Sequence, residues 1–113
     1  MMREILISDE CIDFVSTNKR VQIKFKYLIE VIGEQKIIHK AIVDKLLNTR
    51  FYELRIKVDS QIRIIIFTID NESFNESTKI ILLNGFLKKS NKDYIKAVNE
   101  AEKLLTKYKN EIE

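Results

Sequence analysis

Apolar residues in the first part of the chain recur mainly at helical spacing. A short apolar segment at residues 3–7 predicts a first strand. Ser8 and Asp9 follow it with the composition of a helix N-cap, and Ile12 and Val15 then share one face. The chain therefore starts with a strand that leads directly into a helix.

Two further helices are predicted before residue 50. Residues 21–32 fit both a strand alternation and a helical stripe. Gly33 favours the helix, because glycine is common just after a helix ends. Residues 37–47 carry another stripe, which includes Ile38 and Ile42 and predicts a third helix.

At residue 51, apolar residues begin to recur at every second position instead of at helical spacing. Residues 51–58 alternate between apolar and charged positions, which predicts a strand with one buried face. Residues 62–69 are almost continuously apolar, as expected of a central strand. A polar loop at residues 71–77 leads to a third apolar segment, residues 79–87, and hairpin logic makes the three strands a meander.

A last helix completes the predicted fold. Ser90-x-x-Asp93 resembles a capping box, and apolar residues from Ile95 to Ile112 follow at spacings of three and four. The order of elements predicts the α+β class. We expect one domain over residues 1–113, in which N-terminal helices pack on a small, mainly antiparallel twisted sheet with a C-terminal helix.

Composition narrows the class of protein. Of 113 residues, 45% are hydrophobic and 33% are charged, which is typical of a folded chain. The net charge of +3 is weak evidence for a nucleic-acid partner, because 17 acids offset most of the 20 cations. Cys11 is the only cysteine, which fits a reducing compartment. Without a signal-peptide segment or an apolar run near about 18 residues, we expect a soluble cytoplasmic protein with no membrane partner.

The register of the first hairpin decides whether its cations meet. With a two-residue turn, Arg55 and Arg63 lie on opposite faces. With a three-residue loop at residues 59–61, Lys57 opposes Arg63 and Arg55 shares that face. The second register also pairs the apolar residues of the two strands. Burial therefore favours it, since a slip of one residue turns every side chain to the other face.

Two interpretations of these cations stay open. Like charges directly opposite each other destabilise a sheet by about 0.2–1 kcal/mol, a cost that a bound polyanion would offset. Lys88 and Lys89 add two cations at the end of the third strand, so a phosphate site is one interpretation. The other is a solvated face on which Glu53 pairs with one of the cations.

Residues 46–105 resemble the RelE/ParE superfamily of toxins from type II toxin–antitoxin modules, and within it the phage-derived, HigB-like branch. The resemblance rests on an ordered set of residues: Tyr52-Glu53-Leu54-Arg55, Arg63, Leu82-Leu83, Gly85-Phe86 and Lys88-Lys89. The chain departs from the branch at Asn84, where His is frequent, and in lacking a proline after the lysine pair.

The resemblance implies a small toxin that a cognate antitoxin neutralises. Many relatives cleave mRNA on the ribosome, and we expect a ribosome-dependent endonuclease, or mRNA interferase, that contacts ribosome and mRNA. Others inhibit DNA gyrase without nuclease activity, and an inactive interaction module is a third possibility, because the fold alone does not decide the function. No small-molecule substrate is implied.

A nuclease of this kind would use the 2′-hydroxyl of the RNA as its nucleophile. The reaction needs a proton acceptor, positive charge at the phosphate and a proton donor for the leaving oxygen. No cluster of His, Asp and Glu has the spacing of a metal site, so no metal or other cofactor is expected. The candidate catalytic residues are Arg55, Arg63, Lys88, Lys89 and Tyr94, and further RNA contacts are Lys57 and Lys92.

The candidates differ in their expected roles. Arg55 and Arg63 would clamp the phosphate, because a guanidinium matches its geometry and stays charged. Lys88 or Lys89 would add charge, or act as base if neighbouring cations lower its pKa. Tyr94 lies six residues after Lys88, as a tyrosine does in the RelE branch, and could stack on a base or transfer a proton. The alternative for Tyr94 is packing in the last helix.

Other conspicuous residues are predicted to be structural. Cys11 is interpreted as a small buried hydrophobic residue, and Tyr52 points toward the core. His39, the only histidine, is expected at the surface or in the packing of the predicted third helix. The early helices or the last one could form the surface that an antitoxin helix covers.

Overall fold

Residues 2–113, the part of the chain that this computed structural model describes, form five strands and four helices. In chain order they are β1 (Glu4–Ile7), α1 (Asp9–Ser16), α2 (Lys19–Glu34), β2 (Val43–Lys45), β3 (Phe51–Val58), β4 (Ser60–Thr68), β5 (Lys79–Leu87), α3 (Lys92–Lys107) and α4 (Lys109–Ile112). The strands form one sheet in the order β1-β5-β4-β3-β2. Only the β1–β5 pair is parallel in this sheet. The predicted α+β class, with a mainly antiparallel sheet and a C-terminal helix, is confirmed.

Both faces of the sheet are apolar, and helices cover each of them. Even-numbered residues of β3 and β4, such as Leu54 and Ile64, pack with α1 and α2. Odd-numbered residues, such as Phe51 and Ile65, pack with α3. Because β4 is buried on both faces, its sequence is a nearly continuous apolar run rather than an alternation.

The first two helices begin at side-chain caps. The Ser8 hydroxyl accepts the backbone N–H of Cys11 at 2.9 Å, as the sequence predicted for an N-cap. Asn18 caps α2 in the same way through the N–H groups of Arg20 and Val21. The expected end before Gly33 was wrong, because α2 continues to Glu34 and no glycine has a positive φ.

The third helix predicted over residues 37–47 was wrong. A turn built on His39 leads into β2, which pairs with the edge of β3. The His39 carbonyl accepts the N–H groups of Ile42 and Val43, and the Ile42 carbonyl accepts the N–H of Arg55 at 2.8 Å. Pairing with β3 satisfies a strand edge, an advantage that periodicity within residues 37–47 does not reveal. His39 is exposed in this turn.

The three-residue loop predicted for the first hairpin was also wrong. The strands reverse at Asp59 alone, which has a φ of 59°, and Val58 pairs with Ser60. Asp59 also forms an ion pair with Arg20 of α2. The register differs by two residues from the expected one, so Lys57 opposes Gln61. A shift of two keeps every side chain on its predicted face.

The C-terminal helix begins slightly differently from the predicted capping box. Asp93 accepts the backbone N–H groups of Lys89 and Ser90 at 2.7 and 2.9 Å, as the acidic residue of a box would. The N-cap is Asn91, whose side chain makes no cap bond. Ile95, expected on the buried stripe, is 66% exposed.

Arg3 joins β1 to the end of α2 and to the loop before β5. It is 4% exposed. Its guanidinium donates to five carbonyl oxygens, those of Ile32, Gln35, Lys36, Phe74 and Ser77. These acceptors make burial of the charge tolerable, and they join segments that are distant in sequence. None of the helices within residues 2–113 is long and apolar enough to cross a membrane.

Asp70 closes the polar loop between β4 and β5. Its carboxylate accepts the hydroxyl of Ser77 at 2.6 Å, the N–H and hydroxyl of Thr78, and the N–H of Lys79 at 3.1 Å. Burial raises the pKa of Asp70, but these hydrogen bonds outweigh burial and hold the pKa well below its usual value of 3.8.

Stability should therefore depend on the ionisation of Asp70. A carboxyl whose pKa is depressed by folding contributes stability that is fully present above its unfolded pKa and is lost as the pH falls toward its folded pKa. We expect the free energy of unfolding of the wild type to fall more steeply than that of Asp70→Asn below about pH 4. Urea denaturation at a series of pH values measures this difference. Parallel pH dependences of the two proteins would contradict it.

Candidate functional site

Two arginines meet across the hairpin on the face that α3 covers. Arg55 of β3 lies directly opposite Arg63 of β4. Phe86 of β5 is the next residue along this row, because it pairs with Arg63. The predicted sharing of one face is confirmed, although the register puts Arg55, rather than Lys57, opposite Arg63.

Glu53 forms ion pairs with both of these like charges. Its side chain is 2% exposed and lies on the same face as Arg55, two residues earlier in β3. The Oε1 atom of Glu53 is 2.9 Å from Arg55 Nε and 3.0 Å from Arg63 Nε. It also accepts the Tyr94 hydroxyl at 3.1 Å. One buried carboxylate oxygen thus holds both guanidinium groups and the phenol, and we call these four residues the Glu53 cluster.

The two arginines of the cluster differ in access. Arg63 is 8% exposed and also donates to the side chain of Gln61 and to the carbonyl of Ile62. The prediction that it lies on an open face was therefore wrong, because α3 covers that part of the sheet. The Arg55 side chain is 38% exposed and forms a second ion pair with Asp44 at 3.2 Å. The hydrogen bond to Glu53 raises the pKa of Arg55, so it stays charged.

Tyr94 covers the cluster from the first turn of α3. Its ring packs edge-to-face on Phe86, with centroids 5.3 Å apart. Its hydroxyl donates to Glu53 and accepts the Nε–H of Arg63 at 3.3 Å. Burial raises the pKa of Tyr94, and the bond to Glu53 raises it further although Arg63 opposes this. The phenol is therefore protonated at neutral pH and can act as a proton donor.

The predicted lysines differ in their distance from the cluster. Lys88 Nζ is 5.6 Å from the centre of the Tyr94 ring. Lys89 and Lys92 are exposed beside the start of α3, and within the described residues their side chains make no hydrogen bond or ion pair. Lys57 lies outside the cluster, in a shallow depression beside α2. The structure thus brings Arg55, Arg63, Lys88 and Tyr94 together, and it does not bring Lys57 to them.

An open cleft of about 760 Å³ leads to the cluster. Glu53, Arg55 and Tyr94 line it together with β2, the turn that follows β2 and the first two turns of α3. Leu47 and Ile95, 85% and 66% exposed, are its most exposed apolar residues. A ligand that enters the cleft meets an apolar rim and the accessible guanidinium of Arg55, an arrangement that suits a phosphate with an attached organic group.

A comparison with protein families places the chain. The protein-family model described as "Phage derived protein Gp49-like (DUF891)" matches residues 13–106. The chain belongs to this Gp49-like family. The family lies within the RelE/HigB-like toxins and is associated with toxins of toxin–antitoxin modules, which is consistent with a toxin role. No curated protein matches the chain.

The Gp49-like assignment confirms the coarser part of the resemblance noted in the sequence. It covers β3, β4, β5 and most of α3, and therefore every residue of the Glu53 cluster. The HigB-like branch and the catalytic roles of individual residues stay predictions. Among residues 2–113 no three His, Cys, Asp or Glu side chains are grouped so that they could hold a metal ion. The expectation of a metal-free reaction also stays a prediction.

Sequence reasoning underestimated Glu53. It appeared only as a possible partner of one surface cation, whereas it is the buried centre of the cluster. A signal was present, because Glu53 and Arg55 are two residues apart in an alternating strand and so share a face. The ion pair of Asp44 with Arg55 had no such signal, since β2 had been predicted as a helix.

Proposed function

We propose that this Gp49-like protein is the toxin of a type II toxin–antitoxin module and a ribosome-dependent mRNA endonuclease that uses no metal. Its partners are a cognate antitoxin, the ribosome and mRNA, and its place of action is the cytoplasm. The observation that supports this most is the convergence of Arg55, Arg63 and Tyr94 on one carboxylate beside an open cleft, with Lys88 next to the Tyr94 ring. Four of the five predicted catalytic residues take part in it.

Arg55 is the first contact for the RNA phosphate. Its guanidinium is accessible from the cleft and is held by Glu53 and Asp44 at 2.9 and 3.2 Å. A phosphate can replace Asp44 as the partner of Nη2 while Glu53 keeps Nε in place. The exchange replaces one charged hydrogen bond with another and leaves the guanidinium oriented.

The cluster also suggests how protons move. The 2′-oxygen forms a bond to phosphorus and the bond to the 5′-oxygen breaks, which leaves a 2′,3′-cyclic phosphate and a 5′-hydroxyl. Tyr94 donates its hydroxyl proton to the departing 5′-oxygen, and Arg63, 3.3 Å away, stabilises the phenolate that remains. The 2′-hydroxyl proton passes to solvent water or to the uncharged amine of Lys88, and a charged Lys88 instead adds positive charge beside the ring. Glu53 positions these groups, because its Oε1 already accepts hydrogen bonds from Arg55 and Tyr94 and forms an ion pair with Arg63.

The test is cleavage of mRNA on programmed ribosomes, mapped by primer extension. The wild type should cut in the A-site codon only when ribosomes are present. Arg55→Ala should cut at least about 100-fold more slowly, because a donor to transition-state charge is lost. Arg50→Ala is a matched control, since Arg50 also pairs with a carboxylate, that of Glu102 at 2.6 Å, away from the cluster. It should cut at the wild-type rate.

The outcomes separate the candidate functions. If folded protein arrests growth without cutting mRNA, the nuclease proposal is wrong, and DNA supercoiling by gyrase becomes the assay. If the wild type cuts but Arg55→Ala cuts equally well, the protein is a nuclease whose site is not the Glu53 cluster. Tyr94→Phe tests the cluster a second time in that case, because it removes the hydroxyl proton and keeps the packing of the ring on Phe86.

A further inference from the structure

A second depression lies on the opposite side of α3 from the cleft. This groove of about 630 Å³ has the C-terminal half of β5 as its floor and α1 and α3 as its walls. Four carboxylates and one lysine line it: Glu10, Asp13, Asp93, Glu100 and Lys96. The groove is therefore acidic, whereas the Glu53 cluster faces its cleft with a cation.

A buried acceptor without a partner lies in the floor of the groove. Asn84 of β5 is 7% exposed, and its Nδ2 donates to the carbonyl of Ala97 in α3 at 3.1 Å. Within the part of the chain that the structure describes, its Oδ1 has no hydrogen-bond partner and is the one buried side-chain atom in that state. Buried acceptors are nearly always satisfied, so the donor for this atom is either a water molecule or a group of a partner, and the test below separates the two.

Two of the four carboxylates in the lining have no partner in the described residues. Glu10 accepts Lys107 and the hydroxyl of Tyr108, and Asp93 accepts backbone N–H groups at the start of α3. Asp13 and Glu100 form no ion pair or hydrogen bond with any residue between 2 and 113. They lie on facing walls, one on α1 and one on α3, with Asn84 between the helices.

We propose that the groove binds an arginine side chain of a protein partner. Among the described residues that line the groove, Lys96 supplies the one free donor side chain, and the other free groups, Asn84 Oδ1, Asp13 and Glu100, are acceptors. A guanidinium supplies five donors, enough in number for Asn84 and for a carboxylate on each wall. Phe14 in the α1 wall and Phe86 in the floor also offer rings on which the apolar stem of an arginine can pack and the guanidinium can stack. A nucleic acid is a poor occupant, because the carboxylates would repel its phosphates.

A titration followed by ¹H–¹⁵N NMR tests this site. The probe is an acetylated pentapeptide with one central arginine between alanines, and the matched probe has glutamine in its place. The arginine peptide should shift the side-chain amide of Asn84 and the backbone amide of Gly85 along one saturable curve. The combined variant Asp13→Asn and Glu100→Gln should weaken binding about tenfold, since each lost charge removes a charged hydrogen bond. Glu34→Gln, an exposed acid at the end of α2, is the control and should bind as the wild type does.

Three results would overturn the proposal. Equal shifts with the glutamine peptide would show that charge is not recognised. An equal loss of affinity in Glu34→Gln would show that only the overall charge matters. An unperturbed Asn84 amide at saturating peptide would show that its oxygen is satisfied by water. The titration uses no ribosome, so its result is independent of the proposed nuclease activity.

Discussion

Arg63→Met is expected to lower the free energy of unfolding by about 3 kcal/mol. The substitution keeps the stem of the side chain but removes the more buried of the two charges that pair with Glu53, whose carboxylate is 2% exposed. Removing one partner of a buried ion pair is strongly destabilising, because the other charge remains buried without its counterpart. Arg55 and Tyr94 still contact the same oxygen, which places the loss at the lower end of the usual range. Urea denaturation measures it.

A double-mutant cycle separates this effect from the loss of packing. Glu53→Gln removes the buried negative charge, so adding it to Arg63→Met should recover at least about 1 kcal/mol relative to the sum of the single changes. Arg55→Ala provides the comparison within the same cluster. Its side chain is 38% exposed, so its pairs are screened by solvent and its loss should cost about 1 kcal/mol or less. An additive cycle, or equal losses for the two arginines, would show that burial of Glu53 does not control the stability of the cluster.

The contrast between the two arginines also decides how toxicity data are read. A non-toxic Arg63 variant is ambiguous, because the protein has lost both a cation and a large part of its stability. A non-toxic Arg55 variant is informative, because the fold should remain and only the accessible cation is missing. The burial that makes Arg63 important for the sheet thus makes Arg55 the better probe of the proposed chemistry.

The strands around the cluster were predictable because their patterns are local. Alternation over residues 51–58 and the apolar run that follows identified β3, β4 and the shared face of Arg55 and Arg63. Odd- and even-numbered residues of a strand point to opposite faces, so an error of two residues in the register left each side chain on its predicted face. The exact partner across the ladder did not, because it depends on a turn of one residue at Asp59 with a positive φ.

The features that sequence reasoning missed depend on contacts between distant segments. Residues 43–45 have too short a pattern to distinguish a strand from a helix, and they become β2 only because β3 offers an edge. Glu53 becomes the centre of a cluster only because α3 places Tyr94 over it. The unpartnered Oδ1 of Asn84 in the groove floor also depends on distant segments, because α1 and α3 form the walls around it. Each of these outcomes is set by packing, which propensity and period do not describe.

Gly85→Ala should be the most damaging substitution at a glycine in this chain. A Cβ at this position would lie 2.3 and 2.6 Å from two ring atoms of Phe14 and 2.9 Å from the Cδ1 of Ile64. Such distances require the α1 helix or the Phe14 ring to move, and overpacking of this kind costs about 1–3 kcal/mol. Gly33→Ala is the matched control. A Cβ there would meet nothing closer than 3.6 Å, and alanine in place of a helical glycine should stabilise the protein by about 0.5–1 kcal/mol.

The two glycine variants should therefore shift the urea midpoint in opposite directions. A side chain is excluded at Gly85 only because Phe14 and Ile64 lie so close. The φ of Gly85 is not positive, so its backbone conformation suits any residue. Equal midpoints for the two variants would mean that the half-buried Phe14 ring moves aside freely. In that case the wall of the acidic groove is mobile, and the arginine peptide should bind Gly85→Ala with a changed affinity. If Gly85→Ala is destabilised as expected, Phe14 is held firmly between α1 and β5 and the groove is rigid before a partner arrives.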